Sequence, residues 1–151
     1  MTPAERAALV ERYEAGYAEV AAALDAVADL DAARDGWTPR QVVHHLADSE
    51  MTSAIRLRRL LAEDAPVIAG YDEAAFARVL RYAERPVDAA LRAFEAARAT
   101  TAELLRTLTE DEWLRTGTHT ESGPYGVEDW LRTYAAHAAD HAAQISAAGP
   151  S

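Results

Sequence analysis

The chain has 151 residues, a formal net charge of −10 at pH 7 and no cysteine, which describes an acidic domain large enough to bury a core. It also lacks lysine, because all 15 basic residues are arginine. These absences exclude disulfides, cysteine-ligated metals, cysteine nucleophiles, Schiff-base lysines and P-loop lysines.

Two long helices are predicted in the first 62 residues. The first begins at Thr2-Pro3-Ala4-Glu5, where a capping box is combined with proline at the first helical position, and it is expected to end near Leu30. The second begins with the same signal at Thr38-Pro39-Arg40-Gln41 and is expected to run to about Ala62.

The second half of the chain adds two more long helices. A short exposed helix is predicted within residues 72–83, and a long one opens at Pro86. A capped turn at Thr109–Glu112 and a polar loop from Thr116 to Tyr125 follow, and the last helix runs from near Gly126 to about Ser146. These lengths favour an all-α fold, an antiparallel four-helix bundle that forms a single domain over residues 1–151.

The charge pattern limits the partners to expect. Nucleic acids and anionic membranes are bound through basic patches, and the densest basic run is Arg56, Arg58 and Arg59. Leucines interrupt this run, which is therefore predicted to be the solvated side of an amphipathic helix. No stretch is long and apolar enough for a membrane span, and no leader pattern is present. A cytoplasmic protein without nucleic-acid or membrane partners is expected.

Histidine is the residue type left for metal or proton chemistry. His137 and His141 are four residues apart on the last predicted helix, so both project from one face, a spacing that lets two imidazoles bind one ion. His141 falls within the apolar stripe and His137 at its edge, where ring nitrogens need a partner. A metal ion satisfies that need. Two alternatives to metal binding stay open. The spacing of the pair could be incidental, or a neighbouring hydroxyl or carbonyl could bond the ring nitrogens.

A third ligand has to come from another helix, and His44 and His45 are the histidines found on one. Adjacent residues differ by about 100° around a helix, so one of the two should face the site, and periodicity leaves both open. Asp48 and Asp140 are each expected to be solvated surface charges, and the orientation of an imidazole is the alternative. His119, in the predicted loop, is expected to be exposed or to stabilise the loop, and lining the site is the alternative.

Other site types fail on the sequence. Ferritin-like di-iron bundles need glutamate three residues before the ligating histidine, and no histidine here has one. The motifs G-x-S-x-G, G-x-G-x-x-G and H-E-x-x-H are absent. No general base can be named from the sequence.

Several motifs together resemble the DinB/YfiT-like superfamily, and within it the YfiT-like branch. The motifs are Gly36-Trp37-Thr38-Pro39-Arg40-Gln41-Val42-Val43-His44-His45-Leu46-Ala47-Asp48-Ser49-Glu50-Met51, Glu63-Asp64-Ala65-Pro66, Gly70-Tyr71-Asp72-Glu73, His119-Thr120-Glu121-Ser122-Gly123 and His137-Ala138-Ala139-Asp140-His141-Ala142-Ala143-Gln144-Ile145. They occur in order over nearly the whole chain.

The resemblance implies an up-down-down-up four-helix bundle, often a homodimer, that holds one divalent ion, usually zinc or nickel. It implies His45, His137 and His141 as the three ligands, because the second-helix ligand in relatives precedes a hydrophobic residue and alanine, as His45 precedes Leu46 and Ala47. His44 is the fallback. Histidine at 137, where the mycothiol isomerase branch has glutamate, favours the YfiT-like side.

The resemblance also implies the chemistry. Superfamily members include enzymes that use small thiols and proteins described as metal-dependent hydrolases. The favoured hypothesis is an S-transferase that joins bacillithiol or mycothiol to an electrophile at the metal. The alternatives are a metal-dependent hydrolase, a non-enzymatic metal-binding stress-response bundle whose partner is another protein, and a plain structural bundle in which the histidines are incidental. Trp37, Trp130 and Tyr134 are candidates to shape a pocket near the ion.

Overall fold

Four long helices, two short helices and three short strands form the described part of the chain. The computed structural model describes residues 1–33 and 36–148, so residues 34, 35 and 149–151 of the predicted domain lie outside it. The elements are α1 (Pro3–Asp25), α2 (Pro39–Ala62), β1 (Val67–Ile68), α3 (Glu73–Val79), α4 (Asp88–Leu105), α5 (Glu110–Trp113), β2 (Thr116–His119), β3 (Gly123–Gly126) and α6 (Val127–Ala148). None of the described helices has the length and hydropathy needed to cross a membrane.

Local side-chain chemistry sets the helix starts. Complete capping boxes precede α1, α2 and α5, which confirms the predicted starts at Thr2, Thr38 and Thr109. The predicted end of the first helix is wrong, because α1 ends at Asp25 rather than near Leu30. Beyond it, the carboxylate of Asp29 accepts a hydrogen bond from the backbone of Asp31, a local turn that competes with the helix.

Contacts at the two ends of the bundle give the helix directions. At one end Arg6, in the first turn of α1, donates to Glu110 just after α4 and to Glu128 at the start of α6. At the other end Arg40, at the start of α2, donates to the Arg85 carbonyl just before α4. Helices α1 and α6 therefore run one way and α2 and α4 the other, so the bundle is up-down-down-up, as expected.

The packing order is not sequential. Helix α1 lies against α6 and α4, and α2 lies against α4 and α6. Helices α2 and α6, which carry the predicted ligands, are therefore neighbours. His45 and His137 are in contact although about 90 residues separate them in the sequence.

A small sheet replaces the predicted polar loop. Strands β2 and β3 form an antiparallel hairpin, and β1 pairs in parallel with β2, with Ile68 opposite His119. The loop prediction was wrong over these residues because alternation in four-residue strands is too short to read, and because β1 supplies a partner from about 50 residues away. The sheet covers one side of the bundle near α2 and places His119 beside the segment after β1.

The core contains two apolar clusters along the bundle. One surrounds Tyr13, Leu57 and Trp130, and the other surrounds Val20, Leu46 and Phe94. The buried polar and charged residues include His45, Glu50 and Arg98. Glu50 and Arg98 form a buried ion pair with an N to O distance of 2.6 Å, a feature that hydrophobic periodicity does not predict.

Candidate metal centre

The structure brings His45, His137 and His141 together between α2 and α6. The Nε2 atom of His137 lies 3.3 Å from Nε2 of His45 and 3.2 Å from Nε2 of His141. One ligand atom from each of the three residues falls within 4.8 Å of the others. His45 is buried, and His137 and His141 are half-buried. The three predicted ligands are thus adjacent, and no other group of three or more potential ligands is found in the described residues.

The hydrogen-bond pattern of the cluster fits a bound cation. Nδ1 of His141 is 2.8 Å from Gln144 Oε1, an oxygen that only accepts, so Nδ1 carries the proton and Nε2 presents a lone pair. Nε2 of His137 contacts two ring nitrogens and has at most one proton to donate. At most one of these two contacts can therefore be a full hydrogen bond, and a divalent ion among the three nitrogens would satisfy all of their lone pairs.

Burial keeps the imidazoles neutral. Desolvation lowers the pKa of His45 to about 4, with a further lowering from His141. Desolvation also lowers the pKa of His137 to about 3, with further lowering from the imidazoles of His141 and His45. Because a metal ion binds neutral imidazole, both rings are already in the ligating form at neutral pH.

Aromatic side chains restrict the rings. Trp37 meets His45 edge to face with ring centres 5.1 Å apart, and Tyr134 meets His137 in the same way at 5.8 Å. Trp130 instead lies in the apolar core, where its indole N–H donates to the Ser53 carbonyl. Two of the three predicted aromatics therefore contact the cluster directly.

The neighbouring candidate groups face elsewhere. His44 points away from the cluster: its Nε2 donates to the Arg85 carbonyl at 3.2 Å and its ring stacks on Tyr82. Asp48 accepts from the Tyr82 hydroxyl rather than from an imidazole. Asp140 is exposed. Among the described contacts, neither carboxylate bonds a histidine of the cluster, so neither orients an imidazole.

A cavity of about 230 Å³ opens beside His137. Its walls come from α2, from the segment after β1, from the hairpin and from α6. The lining residues are Ser49, Arg56, Gly70, Tyr71, Glu73, His119, Glu121, Thr133, Tyr134 and His137. His119 thus lines the site, as the sequence allowed, while its Nδ1 accepts a hydrogen bond from the Glu121 backbone. The arrangement provides a candidate metal centre with room for a small molecule at one side.

Arg56 is the site residue that sequence reasoning placed wrongly. It is half-buried: it lines the cavity, and its guanidinium donates to the Tyr134 hydroxyl and the Ala69 carbonyl. The spacing gave no signal of this, because residues 56, 58 and 59 fit within about 160° of a helix, an arc that an amphipathic helix can expose. Tyr71 was quoted only as part of a motif, and its hydroxyl lies buried.

Comparison with known proteins gives a consistent result. A family model described as the DinB superfamily matches residues 11–145. A protein of Oceanobacillus iheyensis named "Putative metal-dependent hydrolase" is 40% identical over 111 residues, which cover 74% of this chain and 64% of that protein. YfiT of Bacillus subtilis, with the same descriptive name, is 37% identical over 112 residues, covering 74% and 63%. The aligned part therefore spans just under two thirds of these relatives.

A solved structure agrees over a larger share of the chain. The structure described as "YfiT from Bacillus subtilis is a probable metal-dependent hydrolase with an unusual four-helix bundle topology" superposes with a TM-score of 0.90 at 31% sequence identity. The match covers 97% of this chain and 86% of that one. The similarity thus includes the bundle and the segments around the histidine cluster.

Proposed function

Because the chain belongs to the DinB superfamily, we propose that it is an enzyme whose divalent ion is bound by His45, His137 and His141. The observation that carries the proposal is the convergence of three Nε2 atoms beside a cavity. The names of the relatives, which mention metal dependence, support the same reading. Zinc and nickel are the ions that the family resemblance implies, and neutral imidazoles bind both, as they also bind copper and iron.

The reaction we propose is the transfer of a small thiol, bacillithiol or mycothiol, to an electrophile. Three protein ligands would leave a coordination position open, where a bound Zn²⁺ or Ni²⁺ would lower the pKa of a thiol or water. The protein has no cysteine, so a sulfur nucleophile has to enter with the substrate. Its sulfur forms a bond to the electrophilic carbon, the leaving group departs with its electron pair, and the thiol proton passes to solvent.

The residues around the cluster hold the three imidazole rings in position. Trp37 and Tyr134 hold the rings of His45 and His137 by edge contacts, and Gln144 fixes the tautomer of His141. Hydrolysis is the second candidate, and the names of the relatives favour it. The two reactions differ in whether the thiol or water is the nucleophile.

The ligand set is tested with two adjacent histidines. His45→Ala is expected to lose stoichiometric metal in elemental analysis, whereas His44→Ala retains it, because His44 bonds the Arg85 carbonyl instead. His137→Ala and His141→Ala should behave like His45→Ala and lose the stabilisation that zinc gives the wild type in thermal melts. Metal retained in His45→Ala, or equal melting temperatures with and without chelator, would contradict the ligand set.

The reaction is tested on the metal-loaded protein. Bacillithiol or mycothiol is supplied with monochlorobimane, and the fluorescent conjugate is compared with that from the metal-free protein and from His45→Ala. Metal-dependent conjugation supports thiol transfer. If neither thiol gives a conjugate and the metal-loaded protein instead cleaves members of a panel of esters, hydrolysis replaces thiol transfer as the proposed reaction.

A further inference from the structure

Two residues that line the cavity each have a buried polar atom with no hydrogen-bond partner in the described part of the chain. They are Nε of Arg56 and the hydroxyl of Tyr71. Burial raises the pKa of Tyr71 to about 12, against a smaller lowering from the Ser49 hydroxyl near it, so the phenol stays protonated and can donate. An unsatisfied buried donor is costly, and two in one cavity point to a ligand with acceptor atoms.

The Arg56 side chain is held in place by other contacts. One terminal nitrogen donates to the Tyr134 hydroxyl at 3.0 Å and the other to the Ala69 carbonyl at 2.6 Å. Its guanidinium carbon lies 5.6 Å from the centre of the Tyr71 ring. The Nε–H group is therefore oriented in advance and left free, which lowers the entropic cost of binding a ligand there.

The charge of Arg56 is also unpaired within the described residues. No carboxylate lies within 4.0 Å of its nitrogens in the described chain, although Glu73 and Glu121 line the same cavity. Both glutamates are exposed, whereas Arg56 and Tyr71 are half-buried. The inner part of the cavity is thus cationic and the rim anionic. Such a gradient favours a ligand whose negative charge lies at its inner end.

We propose that Arg56 and Tyr71 form a carboxylate-binding subsite that orients the substrate beside the three histidines. The planar guanidinium and the phenol supply donors for the two oxygens of a carboxylate. His137 lies in the wall of the same cavity, so the other end of the bound molecule faces the metal centre. The inference rests on the proposed function in taking that end to be a thiol, and it extends that function to the class of thiol used, a thiol carboxylate such as bacillithiol rather than mycothiol, which has no carboxylate.

The subsite is tested by binding rather than by turnover. The Co²⁺-loaded protein is titrated with 3-mercaptopropionate and with 2-mercaptoethanol, a thiol of similar size without the carboxylate, and the sulfur-to-cobalt charge-transfer band is followed. A charge-assisted hydrogen bond predicts that the carboxylate thiol binds about tenfold more tightly. Arg56→Gln should reduce that ratio to about one, and Tyr71→Phe should reduce it by about threefold.

Arg59→Gln is the matched control. Arg59 lies on the same helix and also donates to a carbonyl of the segment near the hairpin, that of Val67, but it does not line the cavity. Its substitution should leave the ratio unchanged. Tyr71→Phe keeps the ring on which Arg56 packs, so it remains informative if Arg56→Gln folds poorly. A tenfold ratio that persists in both Arg56→Gln and Tyr71→Phe would mean that the carboxylate binds the metal, and would overturn the subsite.

A measurement without metal separates this inference from the proposed function. In the chelator-treated, ¹⁵N-labelled protein, the Arg56 Nε–H signal is identified by its loss in Arg56→Gln and followed while propionate is added, with propionamide as the neutral control. A shift with propionate but not with propionamide supports the subsite. If neither thiol produces a charge-transfer band, the thiol chemistry is refuted, but the shift would still support the subsite. No shift with propionate would overturn the subsite.

Discussion

His45 and His137 are held neutral by their surroundings, and this has a cost when no ion is bound. An unfolded histidine has a pKa of about 6.5, whereas burial lowers the pKa to about 4 at His45 and about 3 at His137. Below pH 6.5 the unfolded chain therefore takes up protons that the folded chain excludes. The metal-free protein should lose stability as the pH falls from 6.5 towards 4.

The pH dependence can be measured in chelator by urea unfolding at several pH values between 7.5 and 5. Each buried imidazole should steepen the loss of unfolding free energy by up to about 1.4 kcal/mol per pH unit. His137→Asn removes one such group and should give a shallower slope than the wild type. His119→Asn, which changes the hairpin instead of the cluster, serves as the control. Parallel slopes in His137→Asn and the wild type would contradict the prediction.

At the scale of elements, the site depends on how closely α6 approaches the helices beside it. Gly16 of α1 lies against α6, and a Cβ added there would fall 2.5 Å from Ala138 Cβ and 2.7 Å from the Arg98 guanidinium. Ala138 directly follows His137, so the glycine allows α1 and α6 to pack closely behind a proposed ligand. Hydrophobic periodicity predicted helix α1 but not this close contact.

Gly16→Ala tests the close packing. Helix propensity alone would make alanine stabilising by about 1 kcal/mol, but the steric conflict should destabilise the fold by about 1 to 3 kcal/mol. The expected result is a lower urea midpoint and, because α6 shifts, weaker binding of zinc in a chelator competition. A variant as stable as the wild type would show that α1 and α6 can separate without cost.

At the scale of the whole molecule, one arginine connects the four long helices. Arg98 of α4 donates to the Tyr13 carbonyl in α1 at 2.5 Å, to Glu50 in α2 at 2.6 Å and to the Tyr134 carbonyl in α6 at 3.1 Å. The Tyr13 hydroxyl donates to the other oxygen of Glu50. This network lies between the two apolar clusters and fixes α2 and α6 in relation to each other. The homodimer implied by the family resemblance stays a prediction.

Arg98→Met should destabilise the protein by about 3 to 5 kcal/mol, because it leaves the Glu50 carboxylate buried without its cation. Denaturant unfolding followed by both circular dichroism and tryptophan fluorescence measures the loss. The double variant Glu50→Leu with Arg98→Met removes both charges and should recover part of it. The single variant Glu50→Leu completes the comparison. If the double variant lost as much stability as the sum of the two single variants, the ion pair would not be the reason for the effect.

The sequence by itself determined what depends on neighbours a few residues apart. Capping boxes at Thr2, Thr38 and Thr109 and the spacing of His137 and His141 could be recognised because their hydrogen bonds and faces are local. The bundle followed from helix lengths and from the family motifs.

Only the tertiary structure decided which side of each helix faces the interior, and therefore which of two neighbouring residues reaches the site. Periodicity left His44 and His45 open, and the resemblance favoured His45, but the packing of α2 against α6 places His45 in the cluster and turns His44 towards Arg85. The same packing moves Arg56 from a predicted solvated face into the cavity. Strand β1 likewise gives the hairpin its partner. A rotation of about 100° separates adjacent helical residues, and the helices that select between them are distant in sequence.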